Sequence, residues 1–271
     1  AEMKIPSVAI FSADDARSLH TRMADAFVAL NASGAAAYLN MDRIIEIAKA
    51  HQCTAIHPGY GFLSENAAFA ARCREEGIAF IGPLPETLAL FGDKCRARKL
   101  AKECGVPVVP GTEDPTGMEE AEAFLASLDE GEGMMLKALA GGGGRGMRKV
   151  FEKAALAEAF RASAAEAKAA FGNGALYLEK LITPARHIEV QVVGDGTGAI
   201  SHFWERECTL QRRHQKVLEV TPSPSLTGRQ RRTIIDSAVG LAEKVAYKSL
   251  ATIEFLLDGD GKHYFLETNP R

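Results

Sequence analysis

Along residues 1–92 short apolar runs alternate with helical apolar stripes, a pattern that predicts a parallel sheet flanked by helices. Residues 7–11 and 54–56 read as buried strands. Between them, Asn40 can cap a helix whose Ile44, Ile45, Ile47 and Ala48 form a broad apolar face, with Asp42 favouring its positive end. A further helix is expected from Ser64, whose hydroxyl can accept from first-turn amides and whose neighbour Glu65 suits the dipole. The loop before it, His57-Pro58-Gly59-Tyr60-Gly61, then lies at a strand's carboxyl end, where open α/β sheets bind ligands; its Gly and Pro serve equally to shape a turn.

After Phe80-Ile81-Gly82-Pro83 the pattern changes. Asp93 can cap a helix that runs to Cys104, and Gly105-Val106-Pro107 stops it. Helices over 118–128 and 153–170 then bracket a strand-loop-strand unit with strands at 134–139 and 147–151, so a small inserted lobe is expected. Near the carboxyl end, strands over 252–257 and 263–267 flank Asp258-Gly259-Asp260-Gly261, a strong hairpin signal.

A length of 271 residues with 46% hydrophobic content supports a sizeable core and more than one domain. The 32 basic and 35 acidic residues leave a net charge of -3, so no global field recruits nucleic acid or a membrane surface, and small-molecule partners are expected. Cys53, Cys73, Cys95, Cys104 and Cys208 form no C-x-x-C pair, which points to a reducing compartment. No apolar run approaches the length of a membrane span.

Five glycines fall within residues 141–146, and Gly141, Gly143 and Gly146 match G-x-G-x-x-G. A dinucleotide fingerprint needs a helix after the glycines, whereas a strand follows here, and no Gly-Lys-Ser or Gly-Lys-Thr makes a Walker loop. The remaining readings are a flap at a hairpin tip whose amides can fold over phosphates and, less favoured for so many glycines, a merely flexible loop tip. Lys137 interrupts a strand otherwise fit for burial, so its ammonium needs an anion: a phosphate or an internal carboxylate. Lys94, whose charge opposes the dipole at a helix start, is likewise misplaced for stability alone.

Glu254 and Glu267 each sit among bulky apolar residues, where two like charges repel unless a cation joins them. Magnesium or manganese (Mg2+ or Mn2+) would satisfy both, with water and phosphate completing the shell, whereas either Glu taken alone reads more simply as a solvent-facing strand residue. Glu267, Asn269 and Arg271 share a face if the chain stays extended. The basic run Gln211-Arg212-Arg213-His214-Gln215-Lys216 is in part a solvated face, and nothing marks Arg229, Arg231 and Arg232 as functional.

Five stretches in this order resemble biotin carboxylase: His57 to Asn66, Lys137 to Arg148, Arg186-His187-Ile188-Glu189, Gln211 to Lys216, and Glu267-Thr268-Asn269-Pro270-Arg271. The likeness is strongest to the biotin carboxylase part of acyl-CoA carboxylases, while pyruvate carboxylase shares most of these motifs. It implies an α/β and α+β architecture: an incomplete pre-ATP-grasp parallel-sheet domain over 1–92, then an ATP-grasp domain over 93–271. The latter would carry a glycine-flap lid at about 110–181 and an incomplete carboxyl-terminal part over 182–271.

The resemblance also implies roles. Lys94 and Lys137 would bind ATP under a flap of Gly141, Gly142, Gly143 and Gly144, with Glu179, Lys180 and Ile182 reading adenine largely through backbone groups. His187, Gln211 and His214 would lie near the transferred phosphate and biotin, and Lys216 and Arg271 would hold bicarbonate. Glu254 and Glu267 would bind the metal, supported by Asn269. The implied reaction forms carboxyphosphate from ATP and bicarbonate and carboxylates biotin on a carrier domain, with a carboxyltransferase domain or subunit as further partner. The expected location is cytoplasmic, or the mitochondrial matrix in a eukaryote, and a homo-oligomeric parent is compatible.

Relative to the family pattern, the first strand with its Asn-Arg-Gly-Glu-Ile-Ala segment is missing, as is the Gln-Val-Glu-His segment that follows Arg271 and supplies the general base. Val220 and Thr221 replace the commoner Glu-Ala. The chain by itself is therefore expected not to turn over, and a non-catalytic ATP-binding module is the alternative. Another ATP-grasp ligase, such as a carbamoyl-phosphate-forming enzyme, would share the flap and metal carboxylates but not the stretches at 57–66 and 211–216.

Overall fold

The computed structural model describes residues 3–139, 146–213 and 215–271, and the chain divides into two units, Ala1–Ala89 with Arg271 and Leu90–Pro270.

In the first unit, β1 (Val8–Phe11), α1 (Leu19–Met23) and β2 (Ala26–Ala29) form a parallel two-stranded piece in which Val8 pairs with Ala26. After α2 (Met41–Ala50), a second parallel pair joins β3 (Ala55–Ile56) to β4 (Ala79–Phe80) across α3 (Ala67–Glu75). The predicted parallel pairing is thus present. Asn40 caps α2 by accepting from the Arg43 amide at 3.0 Å. That fixes the helix phase, and Ile44, Ile45, Ile47 and Ala48 all reach the core with Leu63, Phe69, Cys73 and Ile78. The expectation of a helix starting at Ser64 is corrected. Asn66 is the cap, accepting from the Phe69 amide at 2.8 Å, while the Ser64 amide closes a turn onto the Gly61 carbonyl. The Asn66 side chain satisfies the orphan amide that Ser64 lies too early to reach.

In chain order there follow α4 (Pro85–Phe91) and α5 (Lys94–Glu103), the latter capped by Asp93 through the Arg96 amide at 3.1 Å. Next come α6 (Met118–Ala126), β5 (Met134–Ala138), β6 (Arg148–Val150), α7 (Lys153–Phe171) and β7 (Leu176–Lys180). The three strands form an antiparallel sheet in the order β6-β5-β7. Met134, Leu136, Val150 and Leu178 pack there with Ala121 of α6 and Leu156 of α7 in a small core of their own.

The rest of the second unit is β8 (Ala185–Asp195), β9 (Ile200–Arg212), β10 (Gln215–Val220), α8 (Gly228–Lys244), β11 (Lys248–Asp258) and β12 (His263–Pro270). Five antiparallel strands lie in the order β10-β9-β8-β11-β12. Strand alternation divides its side chains into two faces. Ile188, Val190 and Val192 of β8, Ala251, Ile253, Phe255 and Leu257 of β11, and Phe265 of β12 pack with Ile234, Ala238 and Leu241 of α8 and Ala97, Leu100 and Ala101 of α5. Each fully buried Val, Leu, Ile or Phe among them contributes about 1.5–3 kcal/mol, so this face anchors the sheet. The intervening residues, His187, Glu189, Gln191, Thr252 and Glu254, necessarily project from the other face.

Candidate active site

Three glutamates stand side by side on that other face, because the strand register pairs Glu189 of β8 with Glu254 of β11, and Glu254 with Glu267 of β12. A bulge immediately after Glu254 lets the chain keep Glu254 and Glu267 opposite each other while Phe255 and Phe265 pair on the packed face. Glu189 is 1% exposed and Glu254 4%. Bare carboxylates so placed would repel and lose hydration, so the row requires cations.

The cations come from three elements. Arg206 of β9, the register partner of Glu189, holds one of its oxygens, and Lys216 of β10 holds the other. Lys216 also donates to Glu254 Oε1 at 2.9 Å, as does Asn269 Nδ2 at 2.8 Å. Lys94, at the start of α5, lies 3.2 Å from Glu267 Oε2, so its unfavourable place on the helix dipole is offset by a carboxylate. His187 Nε2 lies 2.7 Å from Glu254 Oε2. Gln211 fixes the ring from behind: its Nε2 is 2.7 Å from His187 Nδ1 and donates to the Cys208 carbonyl at 2.9 Å.

Electrostatics follow from this packing. Burial pushes the Glu254 carboxyl up, but His187 and Lys216 outweigh it and hold the group well below the usual carboxylate range. Burial works against the Lys216 ammonium too, yet Glu254 and Glu189 raise its pKa above the ordinary lysine value. Burial pushes the Cys208 thiol up to about 12, so it stays protonated near neutral pH.

Among the described residues, His187, Glu189 and Glu254 bring ligand atoms within 4.8 Å of one another. The oxygen-rich donor set of Glu254, Glu267 and Asn269 suits a hard divalent cation, and magnesium completes such a shell with water and phosphate. A metal there would take over carboxylate oxygens now bonded to Lys216, Asn269 and Lys94.

A second cluster lies in the lobe. Glu179 of β7, 2% exposed, accepts from Lys137 of β5 on Oε2 and from Arg98 of α5 on Oε1. The anion that Lys137 demands is therefore, in this structure, an internal carboxylate. The backbone beside it is tightly held: Lys180 donates its amide to the Pro110 carbonyl at 2.7 Å, and Gly111 bridges to Glu179. A Cβ at Gly111 would lie 2.1 Å from the Leu178 carbonyl oxygen, so only glycine allows this approach. The Lys180 ammonium pairs with Glu132 at the surface, and Ile182 lies half-buried two residues on.

The structure brings His187, Gln211, Lys216, Glu254 and Asn269 together, links Glu267 to Lys94, and joins Lys137 to Glu179. Arg271 groups with the first unit, its guanidinium 5.1 Å from the Tyr60 ring centre. His214 and the flap glycines Gly141, Gly142, Gly143 and Gly144 lie outside the described residues. The residues that sequence reasoning passed over as site members are Glu189, Arg206 and Arg98. For Glu189 a signal existed, since it is the one charged position within 188–193 and stands two residues from His187.

A profile of the family described as "Carbamoyl-phosphate synthase L chain, ATP binding domain" matches residues 93–271, and one described as "Biotin carboxylase, N-terminal domain" matches residues 1–88. The biotin carboxylase of Campylobacter jejuni, solved in a β,γ-ATP complex, superposes with a TM-score of 0.96 at 40% identity, over all of this chain and 60% of its own. The chain belongs to the biotin carboxylase family. Its fold is that of the ATP-grasp biotin carboxylases, preceded by their parallel-sheet amino-terminal part. The biotin carboxylase domain of Hydrogenobacter thermophilus 2-oxoglutarate carboxylase, solved with MgADP, ADP and bicarbonate, gives a TM-score of 0.95 at 42% identity over all of this chain and 59% of that one. Pyruvate carboxylase of Staphylococcus aureus is 48% identical over the whole chain, which spans 24% of that relative's length. The expected emphasis on acyl-CoA carboxylases thus shifts to pyruvate carboxylases.

Proposed function

We propose that this chain supplies the nucleotide, metal and bicarbonate sites for ATP-dependent carboxylation of biotin, within a larger carboxylase of the pyruvate carboxylase type. The observation that carries the reading is the row Glu189, Glu254 and Glu267, held by Lys94, Lys216 and Asn269, on the sheet face opposite the apolar core. The similarity to domains solved with ATP or MgADP and bicarbonate supports it.

The residues divide the work. Lys137 and Lys94 offset phosphate charge, with the flap glycines supplying amides, and the segment from Glu179 through Lys180 to Ile182 receives adenine through its backbone. Glu254 and Glu267, supported by Asn269, would hold magnesium or manganese, which supplies charge neutralisation between phosphate oxygens. Lys216 and Arg271 hold bicarbonate so that one of its oxygens faces the γ-phosphorus. That oxygen forms the new P–O bond, the bond to the β-phosphate oxygen breaks, and ADP and carboxyphosphate result. The carboxyl group then passes to a ureido nitrogen of biotin on a carrier domain as its bond to the phosphate oxygen breaks, and the departing phosphate takes up the proton that the nitrogen loses. His187, oriented by Gln211, stands beside the metal carboxylate, and His214 is proposed to act on the transferred phosphate and biotin. A carboxyltransferase domain or subunit would complete the parent's reaction.

The test is label transfer from 14C-bicarbonate in the full-length carboxylase with ATP and magnesium, offered pyruvate, an acyl-CoA or 2-oxoglutarate. Avidin-sensitive label entering a product of pyruvate is the expected result. Label on an acyl-CoA or on 2-oxoglutarate would reassign the acceptor, and ATP cleavage indifferent to bicarbonate and biotin would overturn the reading.

A further inference from the structure

Within the Glu179 cluster, Arg98 has no part in the chemistry above, although it is only 3% exposed. Its guanidinium forks between Glu179 Oε1 and the Val109 carbonyl, which accepts from Nη2 at 2.8 Å. Lys137 holds the other carboxylate oxygen, Oε2. Both cations lie beside the buried Tyr177 ring, 5.8 Å and 6.0 Å from its centre. Two buried cations thus share one carboxylate, an arrangement that costs stability relative to a simple pair and leaves a positive surplus.

We propose that Arg98 is a positioning residue for nucleotide binding: it holds Glu179 so that Lys137 can turn from the carboxylate to a phosphate oxygen. This rests on the nucleotide-site reading above. Without Arg98, Lys137 and Glu179 would form a closed neutral pair. Moving the ammonium to phosphate would then strip a buried carboxylate of its remaining cation among the described residues, a costly step. With Arg98 in place, Oε1 stays engaged, and the Val109 carbonyl keeps the planar fork from following the lysine. The position of α5 fits this role. Lys94 lies four residues before Arg98, hence on the same helix face, and bonds to Glu267, so one helix ties the lobe carboxylate to the carboxylate row. A simple staple between α5 and β7 would require only one cation on Glu179.

The experiment uses the full-length carboxylase and compares R98M, K137M and R98M/K137M by KM for MgATP and kcat in bicarbonate-dependent ADP formation, with melting temperature recorded. R98M is expected to raise KM for MgATP about tenfold or more with kcat within about threefold, and to add less than about twofold once Lys137 is gone. An equal R98M effect in both backgrounds overturns the proposal, because a staple would act regardless of Lys137. A raised KM in K137M with an unchanged KM in folded R98M sinks the hand-over alone, whereas an unchanged KM in folded K137M sinks the nucleotide-site reading and the hand-over with it. Should R98M not fold, R98K, which keeps the charge and loses the fork, is read in the same way with an expected rise of about threefold.

Discussion

The two glutamate clusters of the second unit use the same residue types in different proportions. At Glu179 one carboxylate faces Arg98 and Lys137, so positive charge is in surplus. Along the sheet three carboxylates, Glu189, Glu254 and Glu267, face Arg206, Lys216 and Lys94, with His187 beside them, so the row stands near balance. The difference assigns ligands. A surplus of buried cations is relieved by an anion such as phosphate, whereas a row whose oxygens are held by movable ammonium and amide groups can pass those oxygens to a metal.

The most severe way to break this division is Glu254→Gln, which keeps shape and removes the carboxylate that Lys216, His187 and Asn269 share. ADP formation in the full-length enzyme is expected to fall about a thousandfold, with no recovery on raising magnesium. Activity within about tenfold of wild type would count against the row. Lys137→Met acts on the other cluster and is expected to raise KM for MgATP about ten- to hundredfold while lowering kcat less, as steady-state kinetics would show.

Smaller effects sharpen the contrast by testing the scaffold. Gly111→Ala forces a Cβ against the Leu178 carbonyl and should cost about 1–3 kcal/mol in denaturant titration, by pushing the β7 backbone at Glu179 away. Glu207 serves as a control carboxylate outside both clusters. Burial raises its pKa, but hydroxyls of Ser225 and Ser223, Arg186 and Thr209 override that and bring it down to about 2. A depressed folded value contributes stability above the unfolded value near 4.5, and that contribution is lost as pH falls from there toward 2. Glu207→Gln should therefore lower stability at pH 7 by on the order of 2 kcal/mol, with the gap from wild type shrinking below pH 4.5. Urea midpoints at pH 7 and pH 3 measure it, and a gap that stays constant would refute the linkage.

Much of this organisation was legible in the residues, for local reasons. Asn40 and Asp93 act on amides three positions away, and the 252–267 hairpin announces itself through Asp258-Gly259-Asp260-Gly261. Lys94, Lys137, Glu254 and Glu267 stood out as charges in costly places, and each has a buried or half-buried counter-charge. Short β2, rich in alanine, and β7, which depends on Met134 and Leu136 across the lobe sheet, carried too little pattern of their own. Arg98 and Arg206 were invisible for a different reason: each gains meaning only through a glutamate distant in sequence, 81 residues away for Arg98 and 17 for Arg206. Strand register brings the three glutamates abreast, and register is a property of the sheet.

The division of labour between the clusters is tested most directly by calorimetric ADP binding to the full-length carboxylase, with magnesium and with chelator, in wild type, Lys137→Met and Glu254→Gln. With chelator present, Lys137→Met should lose about tenfold or more in affinity while Glu254→Gln binds like wild type; with magnesium, both should be weakened. Equal losses for Glu254→Gln with and without metal, or an unaltered affinity of folded Lys137→Met in chelator, would contradict the account.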